Sequence, residues 1–409
     1  MASSSSISRL QLTNFKLRSL LNITEAINEN LTQEELLSRY EELLTSDLRI
    51  GKVLIFKYED GWKCILKSGE EGSSYQDIDI EKDLLCLSEI TSITSSPNKA
   101  LEGYDIVIPV VHKNRHIAFV IIGDIDEESE GISPTIKHLT FIQTLSNIII
   151  VAIENIRLFK ELLRQEAFKK ELELASKMQS LLIPSESILP KNDKIYMTAY
   201  YHPHLEVGGD YYDYLELSKD EIGFCISDVS GKGMSAALLM SNFQANLRAL
   251  FSHEISLAAL IESLNQRVTQ STFGEKFITL FVAKFNFKTR ELEYINAGHN
   301  QPIMYQKKTK ELRLLTKGCV GLGMLEEIPM IRKGSVTIEE PTKILCYTDG
   351  LTELLDGKGV SIGTQEIEQC MMNGDPIELN IKDIIKKQGI EEGSTAIFDD
   401  ISILGIELY

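Results

Sequence analysis

Residues 222–233 read Ile-Gly-Phe-Cys-Ile-Ser-Asp-Val-Ser-Gly-Lys-Gly: a short apolar run, a carboxylate, then a glycine-rich turn. A run of that length bounded by turn residues has the character of a buried strand. It leaves Asp228 at a strand end, where a rigid backbone presents a charged side chain at a rim. Three further places share this grammar. Asp210 follows Val207-Gly-Gly209, Asp349 follows the apolar run Lys343–Thr348 and precedes Gly350, and Asp399-Asp400 precede Ile401-Ser-Ile-Leu404. Asp-Gly at one strand end is ordinary turn chemistry. Four carboxylate positions of this kind fit a pair of hard divalent cations, which take oxygen ligands and activate a water for attack on a phosphoryl group.

Around these positions strand-like runs (195–200, 277–285, 291–296) mix with helix-like ones (234–251, 256–270, 378–388). Strands in succession with long helical inserts predict a layered α+β architecture. Upstream, apolar residues at three- and four-residue spacings predict a helix over 14–48. The period then changes to that of strands. Lys52–Lys57 and Trp62–Leu66 join at Glu59-Asp60-Gly61, and Asp105–Val111 and His116–Ile122 join at Lys113-Asn114. An acidic loop over 123–134 ends at Ser133-Pro134, a helix-start signal.

From 135 to about 182 no Pro or Gly interrupts a helical pattern. Ile142, Leu145, Ile149, Ala152, Ile156, Phe159 and Leu163 alternate three- and four-residue steps, a heptad seam. The register slips between Leu163 and Ala167, then continues through Leu174, Met178 and Leu181, which is a stutter. Such a helix either packs on its own domain or joins two protomers as a parallel coiled coil. The second reading is preferred because the helix outlasts one domain face.

The chain holds 409 residues, enough for two or three domains. Its net charge is −18, divided as −9 over residues 1–190 and −9 over 191–409. Such acidity excludes general binding to nucleic acid and argues against docking on anionic membranes. Six scattered cysteines without a Cys-x-x-Cys pair read as buried, reduced thiols, Cys64 and Cys86 among them, in a cytoplasmic protein. The N-terminus lacks the pattern of a signal peptide, and the most apolar window, 148–153, is too short to span a bilayer.

Val207-Gly-Gly-Asp-Tyr-Tyr-Asp213, Ser227-Asp-Val-Ser-Gly-Lys-Gly233, Ile295-Asn-Ala-Gly-His-Asn-Gln-Pro302, Tyr347-Thr-Asp-Gly-Leu-Thr-Glu353 and Asp399-Asp-Ile-Ser402 follow one another in order. Together they resemble the metal-dependent Ser/Thr protein phosphatases of the PPM superfamily, in the bacterial branch typified by SpoIIE and RsbU. The resemblance covers about 174–409. It implies a β-sandwich flanked by helices and two Mn²⁺ or Mg²⁺ ions. Asp228 would bridge both ions. Asp349 and Asp399 would hold one, and Asp210 with the Val229 carbonyl the other. Asp228 and Asp349 are thus the candidate catalytic residues. Asp213 and Asp400 stay outside this set as neighbours of it. The implied reaction is direct hydrolysis of phosphoserine or phosphothreonine on a signalling protein, with a STAS-domain anti-sigma antagonist as the substrate the branch suggests. A catalytically silent scaffold on the same fold is the alternative.

Gln301 and His204 depart from the branch's usual residues without touching a proposed ligand. His299 and Asn300 read as turn residues, and His202 and His204 lack a third metal ligand nearby. The segment 172–184 resembles the branch's helix ending in Leu-Leu-x-Pro, which is held to switch between sensor and catalytic domains. Residues 14–140 resemble a GAF sensor module more than a PAS one. The expected plan is a GAF-like domain over 14–140, a helical linker over 141–184 that makes a homodimer, and a phosphatase domain over 185–409.

Overall fold

The computed structural model describes residues 2–69, 74–93, 101–125, 138–354, 363–390 and 397–409. Ser133-Pro134, with most of the acidic loop, lies outside the described residues. The chain divides into two compact units, 1–166 and 167–409.

The first unit opens with α1 (Ala2–Asn28) and α2 (Gln33–Glu42), followed by a wider helical turn at Leu43–Asp47. The single helix expected over 14–48 is therefore broken. The cause is local: the Thr32 hydroxyl accepts the Glu35 N–H while the Glu35 carboxylate accepts the Thr32 N–H, a capping box that starts a new helix. A five-stranded antiparallel sheet follows, built from β1 (Ile50–Tyr58), β2 (Trp62–Ser68), β3 (Thr91–Ser92), β4 (Ile106–His112) and β5 (Arg115–Ile125), in the order β2-β1-β5-β4-β3. The one-turn α3 (Ile80–Asp83) precedes β3. Both expected hairpins form. Lys113 and Asn114 each take a positive φ, which suits the tight turn they make.

Both faces of this sheet are covered. Val53, Ile55, Val120 and Ile122 pack with Tyr40, Ile142, Leu145 and Ile149, and Leu54, Phe56, Phe119 and Ile121 pack with Ile78, Leu84 and Tyr104. Trp62 lies against Phe119 and Tyr58. Cys86, expected in the core, is exposed, in the turn that follows α3.

Helix α4 (Leu139–Ser180) is continuous for 42 residues. Its seam behaves in two ways. Ile142, Leu145, Ile149 and Ala152 are buried within the first unit, whereas Phe159, Leu163, Leu174 and Met178 are exposed. Lys57, fully buried, bridges Glu59 and Glu154 at 2.8 and 2.7 Å and ties α4 to β1. Among the described residues α4 is the one helix long and apolar enough to cross a membrane; its most apolar stretch supplies this core.

The second unit contains β6 (Ile195–His202), β7 (Tyr211–Ser218), β8 (Glu221–Val229), α5 (Met234–Leu250), α6 (Leu257–Thr272), β9 (Ile278–Asn286) and β10 (Glu291–Ala297). Short strands follow: β11 (Ile303–Gln306), β12 (Leu312–Leu314), β13 (Gly318–Cys319) and β14 (Gly334–Thr337). Then come β15 (Thr342–Tyr347), α7 (Asp349–Thr352), α8 (Gln365–Met371), α9 (Ile377–Lys387) and β16 (Ile401–Leu408). They form two sheets, β13-β10-β9-β8-β7 with β14 beside β10, and β12-β11-β15-β16-β6. The inner faces share one core, in which Phe224, Ile226 and Phe281 meet Met197, Ile344 and Leu404. Helices α5 and α6 cover the first sheet through Met240, Phe243 and Leu264, and α7 to α9 cover the second through Leu351, Ile367 and Ile381. This is the β-sandwich flanked by helices that the motifs implied.

Candidate active site

Asp228 is the eighth residue of β8, inside the strand rather than after it, where it pairs in register with Thr279. The turn that follows needs its glycines: Gly231 and Gly233 have φ of 85° and 75°, and Gly233 caps α5. The Ser230 hydroxyl accepts the Phe277 N–H, and the Lys276 ammonium reaches the Ser230 carbonyl, so the turn is pinned to the chain entering β9.

Asp210 enters from the other side, just before β7, and is 1% exposed. Thr348 holds it: the hydroxyl donates to Asp210 Oδ2 at 2.8 Å and accepts the Ser402 N–H at 2.9 Å. Asp400 shapes the same loop, taking the His204 N–H on Oδ1 at 2.8 Å and the Gly209 N–H on Oδ2 at 2.6 Å. A Cβ on Gly208 would sit 2.4 Å from Asp400 Oδ2, and one on Gly209 would sit 2.9 Å from the Val229 carbonyl. The glycines thus let the loop close on both, and they place the Val229 carbonyl beside Asp210. Gln179, in the last turn of α4, grips the loop as well: its amide donates to the Gly208 carbonyl at 2.7 Å and accepts the Gly208 N–H at 3.1 Å.

Asp349 begins α7, and Gly350 next to it lies so close to the Asp400 carbonyl that a Cβ would overlap it. Asp399 is partly exposed and pairs with Lys232 of the glycine-rich turn at 2.9 Å.

These carboxylates act on one another. Burial raises Asp210 well above the ordinary carboxylate range, and Asp228 and Asp400 push it further. Burial, then Asp349 and Asp399, bring Asp228 up to about 7. Asp349 is raised by burial, then by Glu353 and Asp399. Desolvated like charges of this kind need a counter-charge, and Lys232 is the cation paired there. Among the described residues no three carboxylates, imidazoles or thiols stand close enough to form a finished ligand shell. The donor set, hard oxygens in a buried anionic cleft, fits Mg²⁺ or Mn²⁺.

Two neighbours of the set have other tasks. Asp213 is fully buried, is held by both Arg248 Nε and Nη2 at 2.7 and 2.8 Å, and accepts the Tyr211 hydroxyl. It is a structural ion pair. Asp400, through its two amide contacts, positions the Asp210 loop. His299 joins the turn after β10: its N–H donates to Asn296 Oδ1 and its Nδ1 meets the Thr279 hydroxyl at 2.8 Å. Burial lowers it to about 3, so the ring is neutral. Sequence reading missed Thr348 and Gln179 as supports and Lys232 as a counter-charge, although Thr348 and Lys232 lay within the quoted motifs and Gln179 within the 172–184 segment.

Residues 218–409 match the family described as Stage II sporulation protein E (SpoIIE). Phosphoserine phosphatase RsbU of Bacillus subtilis (strain 168) is 30% identical over 190 residues, which cover 46% of this chain and 55% of that protein. Phosphoserine phosphatase RsbP of the same organism is 27% identical over 190 residues, covering 45% and 46%. The chain spans about half the length of the curated relatives it matches. Among solved structures, the SiaA PP2C domain of Pseudomonas aeruginosa shares the fold, with a TM-score of 0.51 at 19% identity over 60% of this chain and 99% of that one. Residues 218–409 of the chain are therefore similar to the SpoIIE family, and the sandwich that holds them has the fold of that PP2C domain.

Proposed function

We propose that the protein is a metal-dependent serine/threonine protein phosphatase under the control of its N-terminal unit. The observation that carries this reading is the buried carboxylate group around Asp228, set in a domain of the SpoIIE family. Asp210 and the Val229 carbonyl would hold one Mn²⁺ or Mg²⁺ ion, Asp349 and Asp399 the other, and Asp228 would serve both. When bound, the ions supply Lewis acidity toward the phosphoryl group and an activated water. The chain's own part is to hold the ligands still. Thr348 orients Asp210, Asp400 and Gln179 fix the loop that carries it, and Lys232 balances charge at Asp399.

The substrate is phosphoserine or phosphothreonine on a signalling protein, with a STAS-domain anti-sigma antagonist as the first candidate. The test is phosphate release from a phosphoserine protein with Mn²⁺, compared with the same assay in EDTA and between the full chain and residues 185–409. Turnover that survives EDTA sinks the metal-dependent reading; equal rates in the two chains sink the control by the N-terminal unit. A silent scaffold on this fold would show no turnover at all, and retention of every proposed carboxylate argues against it.

The N-terminal unit is read as a GAF-like sensor, supported by its five-stranded antiparallel sheet with α1, α2 and α4 on one face. The protein is further read as a cytoplasmic homodimer. All six cysteines are free, which suits a reducing compartment. A groove of about 1140 Å³ runs along α4, lined by Ile27, Leu31, Ile156, Phe159 and Leu163, and continues the heptad seam past the residues used in the core. A second copy of the helix is the occupant that this periodicity fits. Phe159→Lys with Leu163→Lys is expected to convert the dimer to a monomer in analytical ultracentrifugation, with an unchanged circular dichroism spectrum. A dimer that persists would place the contact elsewhere.

A further inference from the structure

At the β13 end of the first sheet lies a cavity of about 610 Å³. Asn296, Thr316, Lys317 and Arg332 supply its polar wall, and Ile328 and Met330 an apolar side. Lys317 and Arg332 are both exposed, and neither has an ion pair among the described residues. Arg332 is also held in place: its N–H donates to the Gly318 carbonyl, and its Nε lies 3.1 Å from the Met330 sulfur. Two cations are thus kept free, on fixed backbone, at the edge of a hollow.

Strand register relates this hollow to Asp228. Asp228 pairs with Thr279 on β9, the next residue, Leu280, pairs with Ala297 on β10, and Ala297 pairs with Cys319 on β13. The cationic wall therefore stands three strand spacings from Asp228, at the same end of the sheet. At about 4.8 Å per spacing this is about 14 Å, the reach of about four residues of extended peptide.

We propose that this cavity is a docking subsite for an acidic segment of the phosphoprotein substrate, with its carboxylates about four residues from the phosphorylated serine. The proposal rests on the phosphatase reading above. It gives the cations a task that the phosphoryl chemistry does not use, and it explains how an acidic protein attracts an acidic substrate: Lys317 and Arg332 offer this cavity a charge opposite to the net charge.

The experiment uses the full chain with Mn²⁺ and three phosphoserine peptides: one with three Glu centred four residues from the phosphoserine, one with Gln in their place, and one with the Glu residues directly adjacent to the phosphoserine. The first is expected to show kcat/KM roughly tenfold above the second, a gap that narrows as salt rises. In Lys317→Gln with Arg332→Gln the ratio should fall to about one, and in Lys317→Glu with Arg332→Glu it should invert. The ratio is internal to each variant, so a partly folded preparation does not mimic the effect. A ratio left unchanged by both variants, or equal preference for the adjacent-Glu peptide, overturns the subsite. Failure of the native chain to hydrolyse any of the three peptides overturns the phosphatase reading, and the subsite with it.

Discussion

Asp228→Asn is expected to lower phosphate release with Mn²⁺ by more than about 10³-fold while raising the melting temperature of the metal-free protein at pH 8. Both effects have one origin. Losing a single preorganised electrostatic contact in an active site costs on the order of 10² to 10³ in rate, and Asp228 would serve both proposed ions. Without metal the same carboxylate is a burden, because burial and the charges of Asp349 and Asp399 hold it at about 7. A carboxyl group whose pKa is raised on folding stabilises the folded state at low pH. That contribution is lost as pH rises through the folded value. The native protein in EDTA should therefore weaken as pH rises from about 4 to about 7 and change little above that, and the Asn variant should weaken less. Melting curves from pH 5 to 9 in EDTA, beside a phosphatase assay, measure both. A variant with near-native turnover, or one that melts lower than the native chain at pH 8, contradicts this account.

Asp213→Ala should fail differently. Asp213 shares a motif with Asp210, yet it is a fully buried anion held by the Arg248 fork and the Tyr211 hydroxyl. Removing one partner of a buried pair costs about 3 to 5 kcal/mol, with the lower end expected here because the Arg248 side chain is 47% exposed. In a unit of this size that lowers the melting temperature by roughly 6 to 20 °C. Arg248→Lys should recover little, since an ammonium cannot replace two parallel N–H bonds. Below its melting temperature the Asp213→Ala protein should keep turnover within about threefold of native and respond normally to Mn²⁺. A loss of turnover as deep as that of Asp228→Asn, with an unshifted melting curve, would move Asp213 into the reactive set.

These two residues show what the sequence revealed and what it hid. Strand ends followed by Asp and Gly were legible because apolar runs and turn residues are local signals. The sandwich and its helices followed from them. The break between α1 and α2 was also local, but the apolar spacing runs through it and only the Thr32–Glu35 pair marks it. The roles of Asp213 and Asp400 were not legible. Both depend on partners far along the chain, Arg248 in one case and the His204 and Gly209 amides in the other. Neighbouring carboxylates look alike in sequence; the donors that surround them set their tasks. The heptad seam carried the same ambiguity, and the structure divides it: the first half faces the unit's own core, and the second half is bare.

The pairing of β16 with β6 sets a condition on how the protein comes to exist. Ile401 lies opposite His202, so the β6 edge of the second sheet joins segments about two hundred residues apart in the chain. Contacts this remote carry a high loop-closure entropy and form late in folding. Asp399 and Asp400 sit at the start of that strand, so the acidic cleft has no early, partly built form. During refolding, affinity for Mn²⁺ should appear only with the slowest phase. Until then the chain is spared from gathering metal on a half-made site.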